Sequence, residues 1–156
     1  MNRLIAALLL LVSSASSVTG QTQRLPIFVD YSGDDPVGTN VVFQFKEAVR
    51  RSASYELVNH QEGAGIVVSI VTLGVDGSAR TALSIVGTVA YLGCERGREQ
   101  ERSALFLHNL YITARERSVE SGNNILADLD KAWADANRKW KQDWKQEGCQ
   151  SQSGPN

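Results

Sequence analysis

The sequence predicts a single α+β domain, in which a mixed, mostly antiparallel sheet of about five strands carries two helices on one face. Three observations lead to this prediction. The stretch from Gly65 to Thr113 alternates with the period of extended strands and is rich in strand-forming residues. A strand–helix–strand pattern precedes it, and a long amphipathic helix follows it. We therefore expect the order strand, helix, strand, three further strands and a closing helix.

The three consecutive strands are expected at residues 65–74, 79–93 and 104–113, with a hairpin turn at Asp76–Gly77. In the first strand both alternating sets are largely apolar, which predicts a central strand buried on both faces. The second strand alternates more cleanly, and Gly87 within it predicts a bulge or a close backbone approach. For the third strand, alternation predicts one face with Phe106, His108, Leu110 and Ile112, and a second face with Leu105, Leu107 and Tyr111.

The elements before this stretch have clear boundary signals. A short strand is predicted from Leu25 to Tyr31, and Asp35–Pro36 predicts a helix start with an acidic cap and proline in the first turn. This helix is expected to run to about Ser52. A second short strand at Tyr55–Asn59 then completes a crossover between two parallel strands.

The closing helix is predicted from about Asn123 to Gln146, after a break at 118–123 that contains Gly122. Two acid–base pairs, Asp128 with Lys131 and Asp135 with Lys139, are expected on its solvent side. Its apolar stripe, at helical spacing, consists of Ile125, Leu129, Ala132, Trp133, Ala136, Trp140 and Trp144.

The N-terminal residues have the pattern of a signal peptide. Arg3 precedes an apolar run, Ile5 to Val12, that is too short to span a bilayer. Small residues follow, and we expect cleavage after Gly20, with Ala15 and Ser17 as alternatives. An uncleaved membrane anchor is the other interpretation. The predicted organisation is therefore a signal peptide at 1–20, one domain at 21–149 and a disordered tail at 150–156.

Charge and cysteine content restrict the possible partners. The formal net charge is −1 and the sequence has no polybasic tract, so nucleic acid and anionic membranes are not expected partners. After signal cleavage we expect no stable membrane anchor. In an exported protein the two cysteines, Cys94 and Cys149, predict a disulfide. The expected location is the periplasm or the extracellular medium.

The sequence between Cys94 and Arg102 alternates in charge sign and lacks apolar residues beyond the cysteine. We interpret it as a solvated loop, with a polar docking loop as the alternative.

No catalytic, cofactor-binding or metal-binding motif is recognisable. Asp30, Asp34 and Asp35 follow the first strand, but capping and turn formation explain them more simply than catalysis. His108 is expected as a hydrogen-bonded core histidine, and His60 as a loop residue without a catalytic partner. The sequence therefore predicts a protein that is not an enzyme and needs no cofactor or metal.

The tryptophans suggest a binding surface. Trp133 lies in the middle of the last helix and is expected to pack on the sheet, while Trp140 and Trp144 lie one and two turns further on. Because this helix is longer than a typical strand, its end is expected to overhang the sheet. Trp140 and Trp144 are then candidate partner-binding residues. The alternative is that the Cys94 loop packs beneath them.

The order of elements resembles small α+β domains of the bacterial envelope. In those domains a strand similar to I-F-V-D-Y precedes a polar turn and a helix, and a phrase similar to S-Y-E-L-V opens the second strand. The chain is similar in this pattern, over Pro26 to Asp130, to three families. They are the first domain of the Tol-system periplasmic propeller protein, the lipoprotein activators of penicillin-binding proteins and the curli-secretion lipoproteins. It departs from them in having no propeller and no lipidation cysteine.

The resemblance implies a protein-docking or assembly role in the cell envelope. The expected function is therefore an exported, non-enzymatic binding or accessory protein with an envelope protein as its partner. Two alternatives are a small secreted inhibitor or immunity-type protein, and a hydrolase that uses the carboxylates of Asp30, Asp34 and Asp35.

Overall fold

The fold is a five-stranded sheet with two helices, as the α+β prediction expected. The computed structural model describes residues 24–76, 79–95 and 98–146, of which 92–101 and 143–146 are described by backbone only. The elements are β1 (Leu25–Ser32), α1 (Pro36–Arg51), β2 (Tyr55–Val58), β3 (Ile66–Val75), β4 (Arg80–Glu95), β5 (Arg98–Ala114), a short 3₁₀ turn (Arg115–Arg117) and α2 (Ser118–Gln146). The predicted signal peptide, the cleavage positions and the tail lie outside the described residues.

The strands are arranged in the spatial order β2-β1-β3-β4-β5. Strand β1 is parallel to both β2 and β3, which confirms the predicted parallel pair. Strands β3, β4 and β5 form an antiparallel meander, and β3 is central as expected. The predicted hairpin between β3 and β4 is confirmed: Val75 pairs with Arg80, and Asp76 between them has φ 54°.

The core lies between one face of the sheet and the two helices. Helix α1 begins as predicted, with Asp35 as the cap and Pro36 in the first turn. Both helices bury apolar side chains against the sheet. Fully buried core residues come from both layers, including Ile27, Val41, Phe45, Ile66, Val68, Ile85, Ile125 and Leu129.

The predicted solvated loop from Cys94 to Arg102 is wrong, because the backbone there continues as strand. Strands β4 and β5 pair as far as Glu95 and Arg98, with Cys94 opposite Glu99. A two-stranded hairpin satisfies the inner backbone groups across its own ladder. This polar segment continues two strands whose inner parts pack on the core, so the ladder can extend without apolar side chains of its own and the sequence there gives no strand signal.

The predicted break at 118–123 is also wrong, because α2 begins at Ser118 and includes Gly122. Gly122 is buried where the two helices cross. An ideal Cβ placed on it would lie 2.7 Å from the Phe45 nitrogen and 2.8 Å from the Gln44 carbonyl carbon. The glycine thus marks a close helix–helix contact rather than a helix end.

The predicted irregularity at Gly87 is confirmed. The register between β4 and β5 shifts between Gly87 and Thr88, leaving Phe106 as an extra residue in β5. A bulge reverses the alternation on one side of it. Phe106 consequently packs against the core and Leu105 is exposed, so the predicted faces of these two residues were wrong.

Neither helix contains a sufficiently long apolar stretch to cross a membrane, within the part of the chain that the structure describes.

Candidate docking surface

The face of the sheet opposite the helices presents a group of exposed apolar side chains. We call it the outer face and define it by Val71 and Leu73 of β3 and by Leu105, Leu110 and Ile112 of β5. Leu110, Ile112 and Leu73 retain 75%, 73% and 69% of their full exposure. A monomeric protein rarely gathers this many apolar side chains on one open face without a binding role.

The outer face overturns the prediction that β3 is buried on both sides. Ile66, Val68 and Ile70 are buried beneath the helices, whereas Val71 and Leu73 point away from them. The cause is tertiary, because both helices pack on the same side of the sheet and no described element covers the other side.

The strand register shows how the outer face is built. Leu73, Ala82 and Ile112 form one cross-strand row, and the adjacent row consists of Ser32, Val71, Ser84 and Leu110. A third row contains Asp30, Ser69, Val86 and His108. Asp30 is the single formally charged residue in the three rows. This composition favours apolar contact with another macromolecule over acid–base chemistry.

Strand β5 is the edge of the sheet next to this face. It has 17 residues and pairs on one side with β4, and in the described chain no strand lies on its other side. From Ser103 to Ala114 it contains no Asp, Glu, Lys, Arg or Pro. The opposite edge is different, because β2 has only four residues. Natural edge strands are usually shortened or charged, and β5 is neither over this interval.

An aromatic cluster connects α2 to the hairpin on the helix side of the sheet. Trp140 stacks on Tyr91, with ring centroids 4.8 Å apart, and meets Trp133 edge-on at 5.8 Å. Trp133 in turn makes an edge contact with Phe106 at 5.8 Å. Trp140 is half-buried in this cluster. As in the alternative interpretation, a segment of the chain packs beneath the end of α2, but that segment is strand β4 and not a loop. The side chain of Trp144 lies outside the described residues, and the docking role of the pair stays a prediction.

A polar contact fixes α2 to β5. Asp128 accepts hydrogen bonds from the Tyr111 hydroxyl and from Asn109 Nδ2, the latter at 3.1 Å. Burial, together with the hydrogen bond to Asp128, raises the pKa of Tyr111 to about 12. The expected solvent-side role of Asp128 was therefore wrong. Asp135 pairs with Arg138 at 2.7 Å rather than with Lys139.

The three aspartates near the first turn do not converge. Asp30 is exposed on the outer side of β1, and Asp34 is exposed in the turn. Asp35 is buried on the helix side, with 6% exposure, and its Oδ1 accepts a hydrogen bond from the Gly38 N–H. Because side chains alternate along a strand, Asp30 lies on the outer face of the sheet, whereas Asp35 lies on the helix side.

The Asp35 carboxylate lies in a cluster of hydroxyl groups. Burial opposes its ionisation, but the Thr72 hydroxyl, the Gly38 N–H and the Thr81 hydroxyl favour it, and the pKa of Asp35 is lowered overall. Nearby, the Tyr31 hydroxyl lies 3.2 Å from Thr72 Oγ1 and 3.1 Å from Thr39 Oγ1. The cluster fixes α1 to β1 and β3, so its observed contacts are structural.

The two histidines are far apart in the fold. His108 lies exposed on the outer side of β5, opposite Val86, so its predicted place in the core was wrong. His60 lines a shallow open depression with Gln61 and Glu62 after β2. Among the described residues, no group of three His, Cys, Asp or Glu side chains is placed to hold a metal.

The predicted disulfide cannot be placed on this geometry. Cys94 belongs to β4, where the structure describes the backbone alone, and Cys149 lies outside the described residues. The pairing remains a prediction.

The outer face was missed at the sequence level although its signal was present. Both alternating sets of residues in β3 are largely apolar, and this pattern alone predicts burial of both faces. Counting the covering elements would have shown that two helices suffice for one face only.

Comparison with known proteins places the chain in no family. No protein-family model matches it, and no curated protein matches it. Among solved structures, a crystal structure of a minor lipoprotein from Acinetobacter baumannii aligns over 77% of this chain and 90% of that chain. The two sequences are 12% identical and the TM-score is 0.23, so the alignment supports no inference about function.

Proposed function

We propose that the protein is an exported, non-enzymatic binding protein of the bacterial cell envelope. It docks a partner protein through the outer face of its sheet, and the partner contributes a complementary apolar surface with few charges. The observation that carries this proposal is the exposure of Val71, Leu73, Leu105, Leu110 and Ile112 on one uncovered side of the sheet. Export is supported by the sequence pattern of Arg3 followed by Ile5–Val12.

A binding function agrees better with the geometry than a hydrolase does. A hydrolase would need its carboxylates to converge on a substrate, but Asp30 and Asp35 lie on opposite sides of β1. An inhibitor or immunity-type protein would also act through a surface, so it differs from the proposal only in the identity of the partner.

The proposal predicts where the partner makes contact. A photo-crosslinking amino acid at position 73 should yield a defined crosslinked partner in living cells, identified by mass spectrometry. The matched control is the same residue at position 131, an exposed position on α2. Crosslinking of the same protein at both positions would indicate a non-specific neighbour and contradict the proposal.

A charge substitution then tests the energetics with the identified partner. Leu73→Lys should weaken binding by at least about tenfold, because a buried lysine without a counter-charge is costly at an interface. Since Leu73 is exposed in the free protein, the melting temperature should change little. Lys131→Glu should leave binding intact. Unchanged affinity in Leu73→Lys would place the docking site elsewhere, with Trp140 and Trp144 as the next candidates.

A further inference from the structure

We propose that two copies of this chain pair through the β5 edge strand, antiparallel and about a two-fold axis at Leu110. The pairing joins two five-stranded sheets into one continuous sheet of ten strands. It also places the two outer faces side by side on the same surface of the dimer. The proposal goes beyond the proposed function and does not depend on it.

The edge of β5 determines the kind of partner. An edge strand presents unpaired backbone N–H and C=O groups, and another extended strand satisfies them by forming a ladder. The long β5 strand offers such a row, whereas the four-residue β2 offers little at the opposite edge.

The sequence of β5 makes a second copy of itself a suitable strand. In an antiparallel pair about a two-fold axis, each residue meets one of the same segment, so a charged segment would place like charges opposite each other. From Ser103 to Ala114 there are no charged residues, and no proline interrupts the backbone donors. A chain that avoided self-pairing would be expected to carry a lysine or a proline here.

The bulge determines the register. The regular segment of β5 between the bulged residue Phe106 and the strand end at Ala114 is 107–113, and Leu110 is its midpoint. Pairing centred on Leu110 therefore uses all of the regular segment. Any other centre would shorten this ladder, or would bring the bulge or the following 3₁₀ turn into it.

This register produces compatible neighbours on the outer side. Leu110 lies beside Leu110 of the partner subunit, and His108 lies beside Ile112 of the partner subunit. The Leu110 pair is apolar, and apolar cross-strand pairs of this kind stabilise sheets. These exposed residues lose contact with water, and the apolar outer face becomes continuous across the axis.

The contact is of modest size. At about 3.4 Å per residue, the paired segment from 107 to 113 is about 24 Å long, which places the interface among the small, reversible ones. We therefore expect a dimer that dissociates on dilution.

The mass of the purified protein tests the proposal. The chain should be expressed with its N-terminal segment, so that processing is retained, and measured by sedimentation velocity from micromolar to submillimolar concentration. We expect a concentration-dependent species of twice the monomer mass. A monomer throughout this range would overturn the proposal, whether the edge is free or covered by residues 1–23 or 147–156 of the same chain.

Two matched lysine substitutions test the place of contact. Leu110→Lys opposes two lysines at the axis and should raise the dimer dissociation constant by at least about tenfold. Leu73→Lys places the same change at a similarly exposed position of the outer face, on β3 instead of the edge, and should leave the dimer intact. A dimer lost in Leu73→Lys and retained in Leu110→Lys would show face-to-face pairing and overturn the edge model.

A single cysteine tests the axis. Directly opposed residues of an antiparallel pair have Cα atoms about 4.5–5.5 Å apart, within the range that a disulfide bridges. Leu110→Cys should therefore form an intermolecular disulfide under mild oxidation, while Leu73→Cys and the unmodified chain should not. Equal crosslinking in all three proteins would contradict the proposed axis. An unmodified chain that stays monomeric but still captures its partner would refute this inference alone, since capture tests the outer face separately.

Discussion

Asp35 joins the first turn of α1 to the sheet. Its Oδ1 caps the helix by accepting the Gly38 N–H, while its buried Oδ2 has no hydrogen-bond partner among the described residues. A Cβ on Gly38 would lie 2.5 Å from Asp35 Oδ2 and 2.4 Å from Thr72 Oγ1, which shows how closely helix and strand approach. A carboxylate at this position thus links a local cap to a tertiary contact.

Removing the Asp35 side chain should destabilise the fold. We expect Asp35→Ala to lower the free energy of unfolding by about 0.5–2 kcal/mol at neutral pH, because the cap is lost. Asp35→Asn keeps an acceptor for the cap and should cost less. Chemical denaturation of the three proteins measures the difference. An alanine variant as stable as the parent would mean that α1 does not depend on this cap.

The lowered pKa of Asp35 also predicts an acid dependence. The ordinary pKa of an aspartate is 3.8, so just below this pH Asp35 is protonated in the unfolded chain but still ionised in the folded protein. The contribution of Asp35 to stability is therefore present above that pH and is lost as the pH falls through the folded pKa. The stability difference between the parent and Asp35→Ala should shrink accordingly on acidification.

The raised pKa of Tyr111 predicts that the folded state loses stability as the pH rises, whereas Asp35 predicts a loss as the pH falls. The pKa of Tyr111 is raised from 10.0 to about 12, so between these values the unfolded chain loses the proton first and the folded state loses stability as the pH rises. Tyr111→Phe should show a shallower decline over this range. Some decline should remain, because burial, together with Asp130, also raises the pKa of Tyr55. Identical slopes in both proteins would contradict the burial assigned to Tyr111.

At the scale of elements, the crossing of α1 and α2 depends on Gly122. The absence of a side chain lets the two backbones approach at the position of Gln44 and Phe45. Glycine costs helix stability in isolation, so its presence inside α2 indicates that the close contact compensates for it.

We expect Gly122→Ala to destabilise the protein by about 1–2 kcal/mol, because the new Cβ meets backbone that cannot move aside cheaply. Asn123→Ala is the matched control, since it adds helix propensity at the adjacent exposed position and should be neutral or slightly stabilising. Thermal melts of both variants provide the comparison. A more stable Gly122→Ala protein would mean that the helices are further apart than described.

The aromatic cluster attaches the end of α2 to the β4–β5 hairpin. Trp140→Ser should lower stability by about 1–3 kcal/mol, less than a fully buried tryptophan would, because Trp140 is half-buried. Trp140→Phe should recover much of the loss through its contact with Tyr91. A serine variant with an unchanged melting temperature and lost partner binding would instead support the docking role predicted for Trp140 and Trp144.

At the scale of the whole molecule, the predicted disulfide would link the hairpin to the chain end. Cys94 lies in β4, where the structure describes the backbone alone, and Cys149 lies outside the described residues, so the bond stays a prediction. In the chain-entropy model, closing a loop of this length contributes roughly 4 kcal/mol. Mass measurement after alkylation without reductant should detect no free thiol in the exported protein, and two alkylated cysteines would refute the bond.

Local signals in the sequence determined most of the elements. Asp35–Pro36 located the start of α1, Asp76–Gly77 located a hairpin and Gly87 located the bulge region, because capping, turn geometry and strand alternation act over a few residues. The polar hairpin extension at Cys94–Arg102 was missed because its backbone ladder leaves no apolar pattern.

Only the tertiary structure decided which apolar residues are core and which form a surface. Ile70 and Val71 are adjacent and similarly apolar, yet one is buried and the other is exposed, because both helices cover a single side of the sheet. Likewise, the sequence around Gly122 predicts a break before the helix, whereas in the structure Gly122 lies inside α2 at its close contact with α1. The candidate docking surface depends on this choice of side, since periodicity separates the two faces of a strand but does not say which face is covered.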